Sequence, residues 1–301
     1  MELQQMRYVL AVAETRNFTR AAKRCLVVQS ALSHQIARLE KELGARLFDR
    51  SSRHVRLTAA GEAFLPAARQ ALDAAERARA EVAAAAGEIS GRLAIGAIPT
   101  VTAVDIPGAL EEFHRRHPKV GIVLRDGASK DLVEDVRSGA LDLAFLGVLP
   151  DYRPKGVSDH ELARGELAAI TATGHPLADE TEVDLARLAR ETFVDFPDGT
   201  AARAQSEEAF TAMGLTRNVA YEVSGADYIA RLVRKGLGVA LLPAAFAAEV
   251  PGVRVLRVRN APGRVERLVW SRLRPTPAAA AFLAGLGVGP RDAEAAGERA
   301  G

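Results

Sequence analysis

The stretch spanning residues 18–61 constrains the fold more than any other part of the chain. Four branched aliphatic residues recur there at spacings of four, three and four positions: Leu32, Ile36, Leu39 and Leu43. This spacing predicts a helix with one apolar face. Gly44 follows directly, at the position where a left-handed glycine commonly ends a helix.

A shorter helix is predicted just before this one, across a tight turn at Val27 and Val28. We expect Thr19 to cap the shorter helix, because a threonine hydroxyl accepts a hydrogen bond from a free N–H of the first turn. Its predicted apolar face consists of Ala21, Ala22, Cys25 and Leu26. Two short helices joined in this way are typical of proteins that insert the second helix into the major groove of DNA.

Polar side chains lie largely off the apolar face of the second helix. They are Gln29, Ser30, Ser33, His34, Gln35 and Arg38. Amide, hydroxyl and guanidinium groups of this kind hydrogen-bond to base edges and phosphates. Helical periodicity alone fits equally well with a helical core whose basic residues form a solvated face.

A two-stranded wing is predicted after Gly44. Apolar residues at 47–48 and at 55 and 57 flank a polar segment whose serine pair suits a turn. We expect Arg50, Arg53 and Arg56 to face phosphate groups.

Basic residues are concentrated at the beginning of the chain. Residues 1–60 contain 11 Lys or Arg and 5 Asp or Glu, a net charge of +6, whereas the remainder contains 29 and 33, a net charge of −4. The total of +2 hides this asymmetry. A basic end that neutralises phosphates and releases counterions favours DNA binding over a merely solvated face.

This segment resembles the DNA-binding region of the LysR-type transcriptional regulators. The matching positions are Phe18-Thr19, Ala21-Ala22, Gln29, Ala31-Leu32-Ser33, Gln35-Ile36, Leu39-Glu40, Leu43-Gly44, Leu47-Phe48, Arg50, Arg53, Leu57-Thr58 and Ala60-Gly61. The family commonly has a capping Ser where this chain has Val28 and a Pro where it has Ser30, which makes Ser30 a candidate cap. His34 replaces a more usual Arg. The resemblance implies a winged helix-turn-helix DNA-binding domain over residues 1–58.

One long helix is predicted after Thr58, which is the candidate N-cap residue of that helix. Residues 59–86 are rich in Ala, Glu and Arg, and a helix of this length spans about 40 Å. Pro66 is expected to bend this helix or to loosen its first turns. The narrow alanine stripe fits either an ordinary surface helix or one that pairs with a second chain. The resemblance implies the second, a linker helix over residues 59–88 that joins chains into a dimer or a tetramer.

The rest of the chain alternates short apolar runs with helical stretches, which predicts an α/β fold with mostly parallel strands in two units. The resemblance implies a periplasmic-binding-protein-like effector-binding domain over residues 89–288, with a small-molecule effector between two subdomains. Subdomain I comprises residues 91–161 and 267–288, and subdomain II comprises residues 162–266. Residues 289–301 are small and charged, and a disordered tail is predicted there.

Candidate effector-binding residues lie in corresponding turns of this region. Thr100 and Thr102 follow the first strand, and Ser129 and Thr200 occupy equivalent positions in later units. Hydroxyl and free N–H groups at helix starts favour an anionic ligand, so a small carboxylate is predicted. Phe196 is a candidate apolar wall or a core residue. Simple capping explains each hydroxyl taken alone, whereas their repetition favours a site.

Several other chemistries find no support in the sequence. The GxxxxGK[ST], HExxH and GxSxG patterns are absent, so no catalytic residue, metal or cofactor is predicted. A single cysteine excludes an intrachain disulfide. The chain has no apolar run long enough for a membrane span and no signal-peptide layout, so a soluble cytoplasmic protein is expected.

Two classes of function remain open at this point. The first is a sequence-specific transcriptional regulator that binds promoter DNA and a small effector, with RNA polymerase as a further candidate partner. The second is a small-molecule carrier or an enzyme whose basic N-terminal segment serves as an interaction module. The missing catalytic motifs count against the second class.

Overall fold

The computed structural model describes residues 1–50, 55–272 and 275–289, without the side chain of Arg50. Two compact units make up the chain, residues 1–91 and residues 92 onward. Within the described ranges, no helix is long and apolar enough to cross a lipid bilayer. The predicted tail beyond Gly289 lies outside the described residues.

The first unit contains helices and one hairpin: α1 (Leu3–Thr15), α2 (Phe18–Arg24), α3 (Gln29–Leu43), β1 (Phe48–Arg50), β2 (Val55–Leu57) and α4 (Ala59–Ala85). Three of the four predicted apolar residues of α3 are buried, Leu32, Ile36 and Leu39, whereas Leu43 at the end of the helix is 40% exposed. Gly44 ends α3 in the left-handed conformation, with φ of 68°. β1 and β2 pair antiparallel, with Phe48 opposite Leu57. The second helix of the predicted pair and the two-stranded wing are therefore confirmed as structural elements.

Local details of the two short helices differ from the expectations. Asn17, not Thr19, caps α2, because its side chain accepts a hydrogen bond from the N–H of Arg20. Val28 is the N-cap residue of α3, which places Ser30 inside the first turn, so Ser30 is not the cap. Leu26 does not join the apolar face of α2. Its φ of 56° directs the chain through a left-handed turn, and the residue is 92% exposed.

The long helix α4 begins where the sequence indicates. Thr58 caps it by accepting a hydrogen bond from the N–H of Gly61 at 3.0 Å. A Cβ at Gly61 would lie 2.2 Å from the carbonyl oxygen of Leu47, so glycine allows α4 to approach the wing. The helix continues through Pro66. Of its residues only Gly61 and Ala68 are buried, so its own unit leaves most of α4 uncovered.

The second unit begins at residue 92, and its first strand starts one residue earlier. Its elements are β3 (Gly91–Ala97), α5 (Ile106–Arg116), β4 (Val120–Asp126), α6 (Ser129–Ser138), β5 (Leu143–Val148), β6 (Val157–Ala172), β7 (Glu182–Val183), α7 (Leu185–Leu188), β8 (Thr192–Asp195), α8 (Ala201–Ala212), β9 (Asn218–Glu222), α9 (Ala226–Arg234), β10 (Ala240–Pro243), α10 (Ala244–Glu249), β11 (Val253–Val258), β12 (Gly263–Ser271) and α11 (Pro277–Gly285).

The α/β architecture is confirmed, but the expectation of mostly parallel strands is wrong. The pairs β3–β5, β7–β11 and β8–β9 are parallel, whereas β12 pairs antiparallel with both β5 and β6, and β10 and β11 pair antiparallel with β6. The sequence analysis did not identify β12 or the first half of β6. Both contain charged residues, which disrupt the apolar run that predicts a buried strand.

The long strand β6 takes part in both halves of the second unit. Its first part pairs with β12 as far as Glu166, and its last part pairs with β10 and β11 from Leu167 onward. The register between β6 and β12 shifts between Glu266 and Arg267. The predicted subdomain boundaries, at 161/162 and 266/267, fall at this irregularity. The division into subdomains itself stays a prediction.

Candidate DNA-reading and effector sites

The outer surface of α3 carries most of the predicted reading residues. Gln29, Ser30, His34 and Arg38 are exposed, while Leu39 on the opposite face is fully buried. The first residues of α3 are unobstructed by their own unit, which is the geometry that lets the start of a recognition helix meet base edges.

Two of the predicted reading residues lie at the edge of this surface. Ser33 and Gln35 are half-buried. The carboxamide oxygen of Gln35 accepts a hydrogen bond from Nε2 of Gln5 at 3.2 Å, and Gln5 is itself only 1% exposed. Gln35 is thus partly engaged in joining α3 to α1, a contact that helical spacing did not reveal.

The wing is fixed to the end of α3 by a carboxylate. Oε1 of Glu40 accepts hydrogen bonds from the backbone N–H groups of Leu47 and Phe48, at 2.8 and 3.2 Å. Arg56 on β2 is exposed. Arg53 and the side chain of Arg50 lie outside the described residues, so their predicted phosphate contacts stay predictions.

A cavity of about 250 Å³ in the second unit collects most of the predicted effector residues. Its lining includes the ends of β3 and β5, the starts of α6 and α8, and part of β12: Ile98, Pro99, Thr100, Asp126, Gly127, Ala128, Ser129, Gly147, Phe196, Pro197, Thr200, Ala201, Ala202, Gln205, Ser224 and Arg264. Thr102 lies outside this lining.

Arg264 places a buried cation at the cavity, and the sequence analysis did not predict it. Its Nη1 and Nη2 donate to the hydroxyl and carbonyl oxygens of Thr100, at 2.9 and 2.8 Å. Nε is buried and has no acceptor among the described residues. Burial lowers the pKa of Arg264 to about 10, an effect that the nearby carboxylate of Glu266 opposes.

The carboxylate of Glu266 is hydrogen-bonded to the loop that follows β3. It accepts hydrogen bonds from the N–H and hydroxyl of Thr102 and from the N–H of Ala103, at 2.8 to 3.3 Å. Its distance to Nη2 of Arg264 is 3.4 Å. The hydroxyl of Thr102 therefore stabilises this loop and is directed to Glu266, in contrast to the predicted role in effector binding.

The hydroxyls of Ser129 and Thr200 also have structural partners. Ser129 donates to the carbonyl oxygen of Gly147 and accepts from its N–H, at 3.1 and 3.2 Å. Thr200 donates to the carbonyl oxygen of Pro197 at 2.8 Å and caps α8. What these two residues offer the cavity is the backbone at the starts of α6 and α8, where N–H groups lack intrahelical acceptors.

Gln205 is a second functional candidate that the sequence analysis missed. It lines the cavity and is 2% exposed, yet its carboxamide makes no hydrogen bond within the described part of the chain. A carboxamide without a protein partner in the lining of a cavity is available to hydrogen-bond water or a ligand there. The sequence did offer one indication of its role, because Gln205 lies on α8 in the turn that follows the predicted effector-binding residue Thr200.

The wall of the cavity at Phe196 is held by buried charges. Nη1 of Arg203 donates to the carbonyl oxygen of Phe196 at 3.1 Å, joining α8 to this wall. The preceding Asp195 accepts from Nη1 of Arg217 at 2.7 Å, and the Arg217 guanidinium lies 5.0 Å from the centroids of two phenylalanine rings. Burial raises the pKa of Asp195, although Arg217 counteracts the shift.

Two family models match the chain and between them cover most of it. "Bacterial regulatory helix-turn-helix protein, lysR family" matches residues 3–62, and "LysR substrate binding domain" matches residues 86–287. The chain belongs to the LysR family of transcriptional regulators. It is a DNA-binding regulator whose second unit is the domain that takes a small-molecule effector.

Similar proteins extend over nearly the same length as this LysR-family chain. The transcriptional dual regulator GltC of Bacillus subtilis is 34% identical over 249 residues, 83% of each protein. The RuBisCO operon transcriptional regulator of Allochromatium vinosum is 33% identical over 288 residues, 94% of each. The solved structure of full-length CbnR complexed with its target DNA has a TM-score of 0.74 at 26% identity, covering 97% of this chain and 100% of that one.

Proposed function

We propose that this LysR-family regulator reads its operator with α3 and grips the flanking phosphates with the wing. The exposed polar face of α3, on a unit with a surplus of basic residues, supports this proposal. Gln29, Ser30, Ser33 and His34 contact bases, with Gln35 at the edge of that surface. Arg38, Arg50, Arg53 and Arg56 contact phosphates.

The proposed effector is a small anion, and a carboxylate is the preferred class. The single observation that carries this choice is Arg264, a cation that is 5% exposed yet retains an N–H without an acceptor. A carboxylate in the cavity supplies the missing acceptor once the side chain shifts to expose Nε, and it adds to the compensation by Glu266, whose oxygen lies 3.4 Å from Nη2. The starts of α6 and α8 add uncompensated N–H groups and the positive ends of two helix dipoles.

Each cavity residue has a defined role in this proposal. The hydroxyl of Thr100 accepts from Arg264 and keeps its proton available for the carboxylate. Ser129 and Thr200 contribute backbone N–H groups. Gln205 hydrogen-bonds a polar group elsewhere on the effector, and Phe196 covers its apolar body.

The effector changes transcription only if it binds one arrangement of the second unit better than another. We propose that closure around the cavity, at the register shift between β6 and β12, alters how paired chains present their DNA-reading units. The uncovered surface of α4 supports pairing along this helix into a dimer or a tetramer. We place the regulator in the cytoplasm, with RNA polymerase as a further partner and without enzymatic activity.

A screen with matched ligands tests the effector class. Each small carboxylate is paired with its own neutral amide, and unfolding of the full chain is followed on heating. Acids that bind raise the unfolding temperature while their amides do not. Binding should be constant up to about pH 9 and weaken above the Arg264 pKa of about 10, because the neutral guanidine attracts no anion. Hits that are mostly uncharged would contradict the proposal.

Gel-shift titration at several salt concentrations tests the DNA contacts. Replacing Arg50 or Arg53 with Ala should weaken binding to all sequences alike and reduce the salt slope by about 0.9 per lost contact. Replacing exposed Arg257 with Ala in β11 is the matched control and should change neither quantity. Replacing Ser33 or Gln35 should instead lower the preference for operator over random DNA. Full selectivity in both variants would show that the reading surface has been misplaced.

A further inference from the structure

An exposed apolar patch borders the start of the reading helix. It consists of Leu26 and Val28, which are 92% and 68% exposed, while Val27 between them packs against the core of the first unit. Both patch residues lie in the turn that joins α2 to α3. Val28 directly precedes Gln29 and Ser30, which are also exposed.

The two residues of this patch are locally unfavourable choices. Val28 is the N-cap of α3 and has no oxygen to accept a hydrogen bond from the first turn, a role for which Ser, Thr, Asn and Asp are preferred. Leu26 adopts a φ of 56°, a conformation that branched side chains rarely take. Departures from local preference that cluster on one exposed surface indicate a functional requirement.

The surroundings of the patch indicate the chemistry of its partner. Lys23 and Arg24 end α2 directly before the turn, although Arg24 also pairs with Glu14. Residues 1–60 carry a net charge of +6, so a partner with many negative charges is favoured. That partner also has to present an apolar group. The major groove of DNA combines both properties, because the 5-methyl group of thymine projects into it between the phosphate-lined strands.

We propose that Val28 makes a specificity-determining contact with a thymine methyl group at the edge of each half-site. This inference rests on the proposed placement of α3 in the major groove. The valine methyl groups pack against the thymine methyl group, and Leu26 extends the apolar surface toward the adjoining sugar. Serine at the same position would exchange this contact for a cap.

Replacing thymine with deoxyuridine isolates the contact, because uracil differs from thymine only by the missing methyl group. Duplexes are first selected from a random library with the full-length protein. The preferred duplex is then synthesised with thymine or with deoxyuridine at every T position, and dissociation constants are measured. We expect the wild type to bind the uracil duplex about fourfold more weakly for each contacted half-site, the effect of exposing one methyl group.

The Val28→Ser variant assigns that difference to one side chain. It should bind thymine and uracil duplexes within about twofold of each other, since the methyl group has lost its apolar neighbour. The temperature at which its helices unfold should equal or exceed that of the wild type, because serine caps α3. Val255→Ser, at a half-exposed valine of β11, is the matched control and should keep the full thymine preference.

Three results would overturn the inference. Equal binding of both duplexes by the wild type means that no methyl group is sensed, and the patch then serves a protein partner. An undiminished thymine preference in Val28→Ser assigns the methyl contact to another residue. A library selection that enriches no sequence at all refutes the placement of α3 itself, and this inference with it.

Discussion

Replacing Thr100 with Val tests how the buried cation at the cavity is stabilised. Valine keeps the shape of threonine but removes the oxygen that accepts from Nη1 of Arg264 at 2.9 Å. Nε of Arg264 already has no acceptor within the described residues, so the variant leaves a second buried N–H unmatched. The loss of a hydrogen bond to a charged group costs about 1.5–3 kcal/mol of unfolding free energy.

Trp270 provides a specific measurement of this cost. It is the only tryptophan of the chain, and it lies on β12 at 4% exposure, so its fluorescence reports unfolding of the second unit. With a urea dependence of about 2 kcal/mol per molar, the unfolding midpoint of Thr100→Val should fall by about 1 M. The variant should also lose its response to the effector while keeping its affinity for the operator.

Thr102→Val is the matched control, two positions along the same loop. Glu266 then retains the N–H groups of Thr102 and Ala103, so the free-energy cost should be about 1 kcal/mol or less and the effector response should persist. The triple variant Thr100→Val/Arg264→Met/Glu266→Gln should recover most of the lost stability, because it removes both the unmatched guanidinium and the buried carboxylate 3.4 Å from it. A Thr100→Val midpoint equal to that of the wild type would refute the reasoning.

Three further predictions concern single side chains. Arg217→Met should destabilise the second unit by about 3 kcal/mol, since it removes the nearest counter-charge of the buried Asp195 and leaves only Arg203, whose Nε lies 3.7 Å from it. Asp195→Asn in the same chain should restore part of this loss, and an unchanged urea midpoint would contradict the ion pair. Gln205→Leu should raise the free energy of unfolding by up to about 1 kcal/mol while abolishing effector binding. A lower free energy of unfolding would indicate that the amide has a protein partner. Gly44→Ala should cost the first unit about 1 kcal/mol, seen as a lower helical melting temperature, because the left-handed backbone strains alanine; an unchanged melting temperature would exclude that strain.

Elements of the first unit could be predicted because their signals are local. The periodic residues of α3, the glycine at its end and the threonine that caps α4 each act within a few positions of the chain. The caps of α2 and α3 were each placed two residues too late, at Thr19 and Ser30 instead of Asn17 and Val28. Val28 has no capping oxygen that could mark the start of α3. The left-handed turn at Leu26 gave no signal, since leucine is an unusual residue for that conformation.

The cavity was predicted only in outline. The turns after successive strands identified Thr100, Ser129, Phe196 and Thr200 as neighbours, and all four line it. Which of their atoms remain available to a ligand depends on partners that the sequence does not reveal. Two of the three predicted hydroxyls in the lining, those of Ser129 and Thr200, have both hydrogen-bonding roles filled by the backbone, and Thr102 is directed to Glu266.

The sequence by itself determined the family, the basic reading unit and the alternation of helices and strands, because period, charge and capping depend on neighbouring residues. Tertiary structure alone decided the electrostatics of the cavity. Arg264 meets Thr100 across 164 positions of the chain, and strand pairing, not local propensity, brings them together. Burial then lowers the pKa of the guanidinium, and the same strand pairing leaves its Nε without an acceptor among the described residues.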